Sequence, residues 1–165
     1  MEKILPQIPA EEGIQIYRSY HQDKFQDLIE LFPGILDLVK ELKARGYKTA
    51  VVTSRLRHTT EVGLEKYDMA KYFDTVVTCD DTEKFKPDPE PVNIALARLG
   101  SKPEESVMLG DSMFDILCAK NAGVKAVLVS WALAVSDEEK TGENAPDYII
   151  EKAEDLMPIL EEGEK

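Results

Sequence analysis

Two carboxylates four residues apart, Asp111 and Asp115, follow the apolar run Val107-Met108-Leu109-Gly110. The run has the bulk and length of a strand buried on both faces, and it delivers Asp111 to the strand's carboxyl end, where α/β sheets gather their ligands. Gly110 lets the backbone turn tightly there, and Asp115 comes one helical turn later. Two oxygen-only acids converging on one point suit a hard cation such as Mg²⁺, which takes one or two carboxylates and completes its shell with waters and substrate phosphate oxygens. The same residues admit a plainer reading, with Asp111 as the N-cap of the next helix and Asp115 as an exposed first-turn acid favoured by the dipole.

Thr53 and Ser54 close a second apolar run, Lys48-Thr49-Ala50-Val51-Val52. Their hydroxyls and the N–H groups of the following turn could hold phosphate oxygens, or simply end a strand and cap a helix. Lys86 sits in Lys84-Phe85-Lys86-Pro87-Asp88-Pro89-Glu90-Pro91, where three prolines at alternate positions stiffen a loop just ahead of a helix. Most lysines are merely solvated, but one presented by a rigid loop at a sheet edge would neutralise a phosphate and a nearby carboxylate.

The elements that must position these groups alternate along the chain. Ala10 to Leu31 approximates a helical stripe, which Pro33-Gly34 breaks; Ile35 to Leu42 is a second amphipathic helix ended by Gly46. Strands are expected over Lys48 to Ser54, Thr75 to Cys79, Val107 to Asp111 and Val124 to Trp131, with Tyr148 to Ile150 as a short edge strand. Helices are expected over Thr59 to Tyr67, Pro91 to Leu99, Met113 to Ala122 and Ala153 to Leu160. Strands separated by helices imply right-handed crossovers and an α/β fold, a Rossmann-like parallel sheet with helices on both faces. Strand ends then meet on one edge, which makes Thr53, Ser54, Lys86, Asp111 and Asp115 one shortlist.

The 165 residues are 43% hydrophobic and 32% charged, enough for one ordinary domain core. The longest uncharged stretch, Ala126 to Ser136, is too short to span a bilayer, and Met1 to Pro6 lacks a secretory pattern, so a cytoplasmic protein is expected. A net charge of −12 excludes nucleic acid and anionic membrane as natural partners, and any phosphate site must be built locally from a cation or backbone N–H groups. Cys79 and Cys118 lack metal-type spacing and read as small buried hydrophobes. His21 and His58 are single, Arg55 and Arg57 either hold substrate phosphate or face solvent, and Trp131 reads as packing.

The ordered set Val51-Val52-Thr53-Ser54, Lys86-Pro87-Asp88-Pro89 and Gly110-Asp111-Ser112-Met113-Phe114-Asp115-Ile116, with Asn121-Ala122-Gly123, resembles motifs II, III and IV of haloacid dehalogenase-type phosphohydrolases. Thr53 to Lys86 spans 33 residues and Lys86 to Asp111 spans 25, and the resemblance covers about Phe32 to the end. Thr78-Cys79-Asp80-Asp81, Val129-Ser130-Trp131 and Pro146-Asp147-Tyr148 look most like the pyrophosphatase and phosphoglycolate phosphatase branch. The resemblance implies that residues 32–165 are the catalytic core and residues 1–31 the remnant of a helical cap. It implies that Thr53 and Ser54 bind the transferring phosphoryl group, that Lys86 steadies phosphate and nucleophile, and that Asp111 and Asp115 hold Mg²⁺ directly or through water.

The family's first motif, an apolar strand followed by Asp-x-Asp, has no match in these 165 residues. In the family its first Asp attacks phosphorus and its second moves the leaving-group proton. That strand would lie between the strands ending at Thr53 and Asp111, so its loss exposes two edges and invites self-association or strand exchange. Met1 to Ile8 could fill part of the gap, but Pro6 and Pro9 oppose a central strand there. The expectation is a Mg²⁺-dependent phosphohydrolase of small phosphate monoesters or pyrophosphate, truncated inside its cap and inactive or nearly so for want of its nucleophile. The alternative is a non-catalytic phosphate-, metal- or partner-binding module derived from such an enzyme. A receiver-like phosphoacceptor domain fits poorly, because it needs an acidic cluster after an early strand.

Overall fold

The computed structural model describes residues 9, 11–13, 15–16, 29–131 and 135–162, and the chain divides into two compact units, Met1–Leu31 and Phe32–Lys165. In the first unit, residues 11–13 and 15–16 are helical; most of the Ala10 to Leu31 stripe, and all of Met1 to Ile8, lies outside the described residues, as does His21.

The second unit is an α/β assembly. Helix α1 (Ile35–Ala44) starts behind Gly34, whose φ of 81° few side chains would tolerate, and buries Leu38, Val39 and Leu42. Then come β1 (Ala50–Val52), α2 (Arg57–Lys66), β2 (Thr75–Val77), α3 (Glu90–Leu99), β3 (Val107–Gly110), α4 (Met113–Asn121), β4 (Lys125–Val129), α5 (Asp137–Thr141), β5 (Tyr148–Ile150) and α6 (Leu156–Glu162). The expected strands are all present, Tyr148–Ile150 with the expected bounds and the others shorter: Lys48, Thr49, Thr53 and Ser54 fall outside β1, and Cys79 opens a 3₁₀ turn, Cys79–Asp81. Helix α5 was not expected. It is too polar for a stripe, and its legible signal is the Ser136-x-x-Glu139 capping box.

The strands form two parallel sheets, β1-β2 and β3-β4-β5, with β5 at an edge as expected. Strand β4 is the spine of the core. Ala126 and Leu128 face one apolar cluster with Val92, Leu96, Ile116 and Ala119, while Val127 and Val129 face another with Leu38, Leu42, Ile150, Leu156 and Met157. Helices therefore cover both faces, and the alternation follows from the two-residue period of a strand. By contrast β1 and β3, equally apolar in sequence, are only half-buried along their whole length. Their outward edges carry no strand partner among the described residues, and that deficit accounts for the exposure. Among the described residues no helix is long and apolar enough to cross a membrane. Trp131 packs against Phe32, with ring centroids 5.7 Å apart, as expected for a packing residue.

Candidate active site

The centre of the site is a buried ion pair. The Lys86 ammonium donates to Asp115 Oδ1 at 2.7 Å and to the Val52 carbonyl at 2.8 Å, and the two charged side chains are only 9% and 10% exposed. Val52 ends β1, and Asp115 lies in the first turn after β3, so Lys86 joins the carboxyl ends of the two sheets. Two of the three ammonium donors are engaged by these partners, leaving one for a ligand.

The loop that carries Lys86 is pinned on both sides. The Glu90 carboxylate, at the start of α3, accepts from Glu83 N at 2.8 Å and Lys84 N at 3.1 Å. From α4, Asn121 Nδ2 donates to the Pro87 carbonyl at 3.0 Å and the Cys118 thiol to the Asp88 carbonyl at 3.0 Å. The Lys86-Pro87 bond is cis. Cys118 is thus the buried hydrophobe expected, with burial pushing its thiol up, and it also holds this loop.

Asp115 is neither exposed nor free. Its Oδ2 accepts from Ser112 Oγ at 2.6 Å, Ser112 N at 3.2 Å and Asp111 N at 3.3 Å, and Ser112 Oγ in return accepts from Asp115 N. Ser112 is therefore the N-cap of α4 and Asp115 closes the capping box, which corrects both plainer readings, Asp111 as cap and Asp115 as exposed acid. Burial alone would push the Asp115 carboxyl up, but the Lys86 charge and the hydrogen bonds from Lys86 and Ser112 outweigh it and hold the group below its usual range. Asp111 goes the other way, raised first by desolvation and then by the negative charge of Asp115 beside it. Gly110 is required for a reason different from a tight turn. A Cβ there would stand 2.3 Å from Asp115 Cβ, so the strand end admits no side chain while Asp115 occupies its place.

Thr53 directly follows the carbonyl that receives Lys86; its N–H donates to Val77 O at 2.9 Å, and its Oγ1 accepts from Arg55 N at 3.2 Å in a short turn. It is half-buried, and Ser54 beside it is exposed. The structure thus links Lys86 with Asp115, Asp111 and the end of β1, while Ser54 enters only as Thr53's neighbour. Arg57 is spent elsewhere: its guanidinium pairs with Asp81 Oδ2 at 2.6 Å, and Asp81 Oδ1 receives Arg98 at 2.8 Å. His58 is exposed, one turn into the same region.

Among the described residues no group of three or more His, Cys, Asp or Glu side chains is gathered for a metal. The two carboxylates nonetheless fit Mg²⁺: they are hard oxygen donors, and that ion keeps several waters rather than demanding an all-protein cage. Sequence reasoning missed Ser112, Glu90 and the Val52 carbonyl. The first two had a signal, an Ser/Thr-x-x-Asp box and a Glu at a helix start, whereas a backbone carbonyl has none.

Residues 1–129 match the family model described as haloacid dehalogenase-like hydrolase. The chain is 43% identical over 154 residues to "Pyrophosphatase PpaX" of Bacillus mycoides (strain KBAB4), covering 92% of this chain and 69% of that protein. The crystal structure of a HAD phosphatase from Thermococcus onnurineus is 30% identical with a TM-score of 0.74, covering 87% of this chain and 64% of that one; this chain therefore spans less than two thirds of it. A predicted phosphoglycolate phosphatase from Haemophilus somnus 129PT shares the fold, with a TM-score of 0.81 at 22% identity over 92% of this chain and 68% of that one. On the strength of the family match over residues 1–129 and of the 43% identity to a relative covered to 69% of its length, the chain belongs to the haloacid dehalogenase-like hydrolases.

Proposed function

We propose that this chain carries the phosphate- and metal-binding half of a Mg²⁺-dependent phosphohydrolase acting on a small phosphate monoester or pyrophosphate. The observation that supports it is Lys86, a buried cation held rigidly between the end of β1 and Asp115 with one donor to spare. In this reading the spare N–H of Lys86 and the hydroxyls of Thr53 and Ser54 bind the phosphoryl oxygens. Asp111, with Asp115 behind it, holds Mg²⁺, which supplies charge neutralisation of the phosphate when bound. Residues 1–31 belong to a helical cap. Hydrolysis through an aspartyl-phosphate needs a carboxylate nucleophile, and no Asp-x-Asp occurs in these residues, so the chain alone binds but does not turn over.

Calorimetric titration with inorganic phosphate and with pyrophosphate, with and without Mg²⁺, tests this reading. Expected are Mg²⁺-enhanced binding, a loss of at least about tenfold in Lys86→Met and loss of the Mg²⁺ enhancement in Asp111→Asn, the size of one charge-assisted contact. Absence of binding to either anion overturns the site, and robust pyrophosphatase turnover that vanishes in Asp111→Asn overturns the predicted inactivity. A second reading, a non-catalytic module that captures a partner or self-associates, is favoured by one observation, the edges of β1 and β3 that carry no strand partner among the described residues.

A further inference from the structure

Helix α4 meets the loop that carries Lys86 on three successive turns. Asp115, Cys118 and Asn121 stand three residues apart, a spacing that sets each beside the next on the helix surface. Each takes a different loop residue: Asp115 Oδ1 accepts from the Lys86 ammonium at 2.7 Å, Cys118 Sγ donates to the Asp88 carbonyl at 3.0 Å, and Asn121 Nδ2 donates to the Pro87 carbonyl at 3.0 Å. Asp115 belongs to the site and Cys118 is completely buried in the core, whereas Asn121, the last residue of the helix, is exposed. The residues they hold form a tight turn. The Asp88 N–H donates to the Phe85 carbonyl at 2.9 Å, so Lys86 and Pro87 are the two central residues of that turn.

An ammonium nitrogen is tetrahedral. Two of the Lys86 N–H groups are committed to the Val52 carbonyl and Asp115 Oδ1, so the two remaining directions belong to the side-chain stem and to the spare N–H. Where the stem comes from therefore decides where the spare N–H points. The stem is a flexible four-carbon chain, and its origin is set by the turn. We propose that Asn121 is a positioning residue for Lys86: by gripping the Pro87 carbonyl it fixes the turn in which the lysine is rooted, and so aims the third N–H at the ligand anion. Glu90 holds the preceding limb of the loop through Glu83 N and Lys84 N, both ahead of the turn, and leaves the turn itself to α4. Loss of the Asn121 amide leaves the ion pair made and its spare donor unaimed. The inference rests on the reading of Lys86 as the phosphate-binding cation.

The probe is pyrophosphate with Mg²⁺, titrated calorimetrically into the full chain, its Asn121→Ala and Lys86→Met variants and the double variant. Asn121→Ala should lower the affinity about fivefold, the worth of one neutral hydrogen bond, with the urea midpoint unmoved. In the Lys86→Met background the same change should cost less than about twofold, because there is no ammonium left to aim. Amide hydrogen exchange gives a readout that needs no ligand. In Asn121→Ala the Asp88 N–H should exchange at least about fivefold faster, while the N–H groups of Glu83 and Lys84, held by Glu90, exchange as in the parent. Three results overturn the proposal: an Asn121→Ala affinity within about twofold of the parent, an equal loss in the Lys86→Met background, or exchange at Asp88 that is unchanged or no faster than at Glu83 and Lys84. If the parent binds no pyrophosphate, the phosphohydrolase reading fails, and the exchange result alone decides whether Asn121 holds the turn.

Discussion

Removing the lysine of the buried pair should be the most damaging single change of charge in the core. In Lys86→Met the stem volume is kept while the ammonium is lost, so Asp115, 10% exposed, keeps its hydrogen bonds from Ser112 but loses its counter-charge, and the Val52 carbonyl loses its donor. Leaving one member of a buried pair uncompensated costs about 3–5 kcal/mol, a large part of the ~5–15 kcal/mol that holds a domain folded. Asp115→Leu alone strands the ammonium and the capping box in the same way. The double variant removes both charges, and its loss should fall short of the sum of the single losses by at least about 2 kcal/mol. Urea unfolding followed by far-ultraviolet dichroism, with Trp131 fluorescence as a second probe, measures all four corners of the cycle. Additivity within ~0.5 kcal/mol, or a loss below ~1 kcal/mol in Lys86→Met, would refute the reasoning, because either would mean that the two charges are solvated apart.

Gly110→Ala places a methyl 2.3 Å from Asp115 Cβ, so Asp115 must leave Lys86; a loss of ~1–3 kcal/mol in urea and weakened phosphate binding are expected, and an unchanged urea midpoint counts against it. Arg98 first, then the Thr78 N–H and Arg57, hold the Asp81 carboxyl well below the usual carboxylate range. A depressed value stabilises the fold above the unfolded pKa of about 3.9 and ceases to do so as pH falls through the folded value. Asp81→Asn should therefore cost ~1–3 kcal/mol at pH 7, and the gap to the parent's urea midpoint should begin to narrow only as pH falls below ~4, closing as the pH approaches the depressed folded value. Glu90→Ala removes the acceptor of two backbone N–H groups, and faster proteolysis between Thr82 and Asp88 is expected at little change in secondary structure.

The elements were legible where one period dominates. Val107 to Gly110, Lys125 to Val129 and the stripe of α1 can be read directly, because continuous apolar runs and 3.6-residue spacing leave little choice of partner layer. Strand ends are less legible: Lys48-Thr49, Thr53-Ser54 and Ser130-Trp131 adjoin the β-branched and apolar runs but lie beyond the ladders, because a ladder ends where its partner strand does. At the site, residue types told which groups matter, but not what each one touches. Asp115 could be read as a solvent-facing acid or a ligand; its actual partners, Lys86 and the Ser112 cap, come from separate parts of the chain that only the fold brings together. The role of Gly110 was hidden for the same reason, because a forbidden Cβ is a fact about Asp115 and not about glycine.

The division of the strands into β1-β2 and β3-β4-β5 also sets an order of events in time. The three-stranded sheet, α4 and α6 come from one continuous stretch of chain, so most of its contacts close short loops and can form early. Among the described residues the two-stranded sheet has no ladder to the rest. It is joined through α3 and through Lys86, whose bonds to Val52 and Asp115 span 34 and 29 residues. Opening should run in reverse: β1 and β2 detach at a lower free energy than β4, whose residues Ala126 to Leu128 are completely buried. The half of the molecule bearing Thr53 is in this sense a hinged leaf on a settled spine, and Lys86 is its latch.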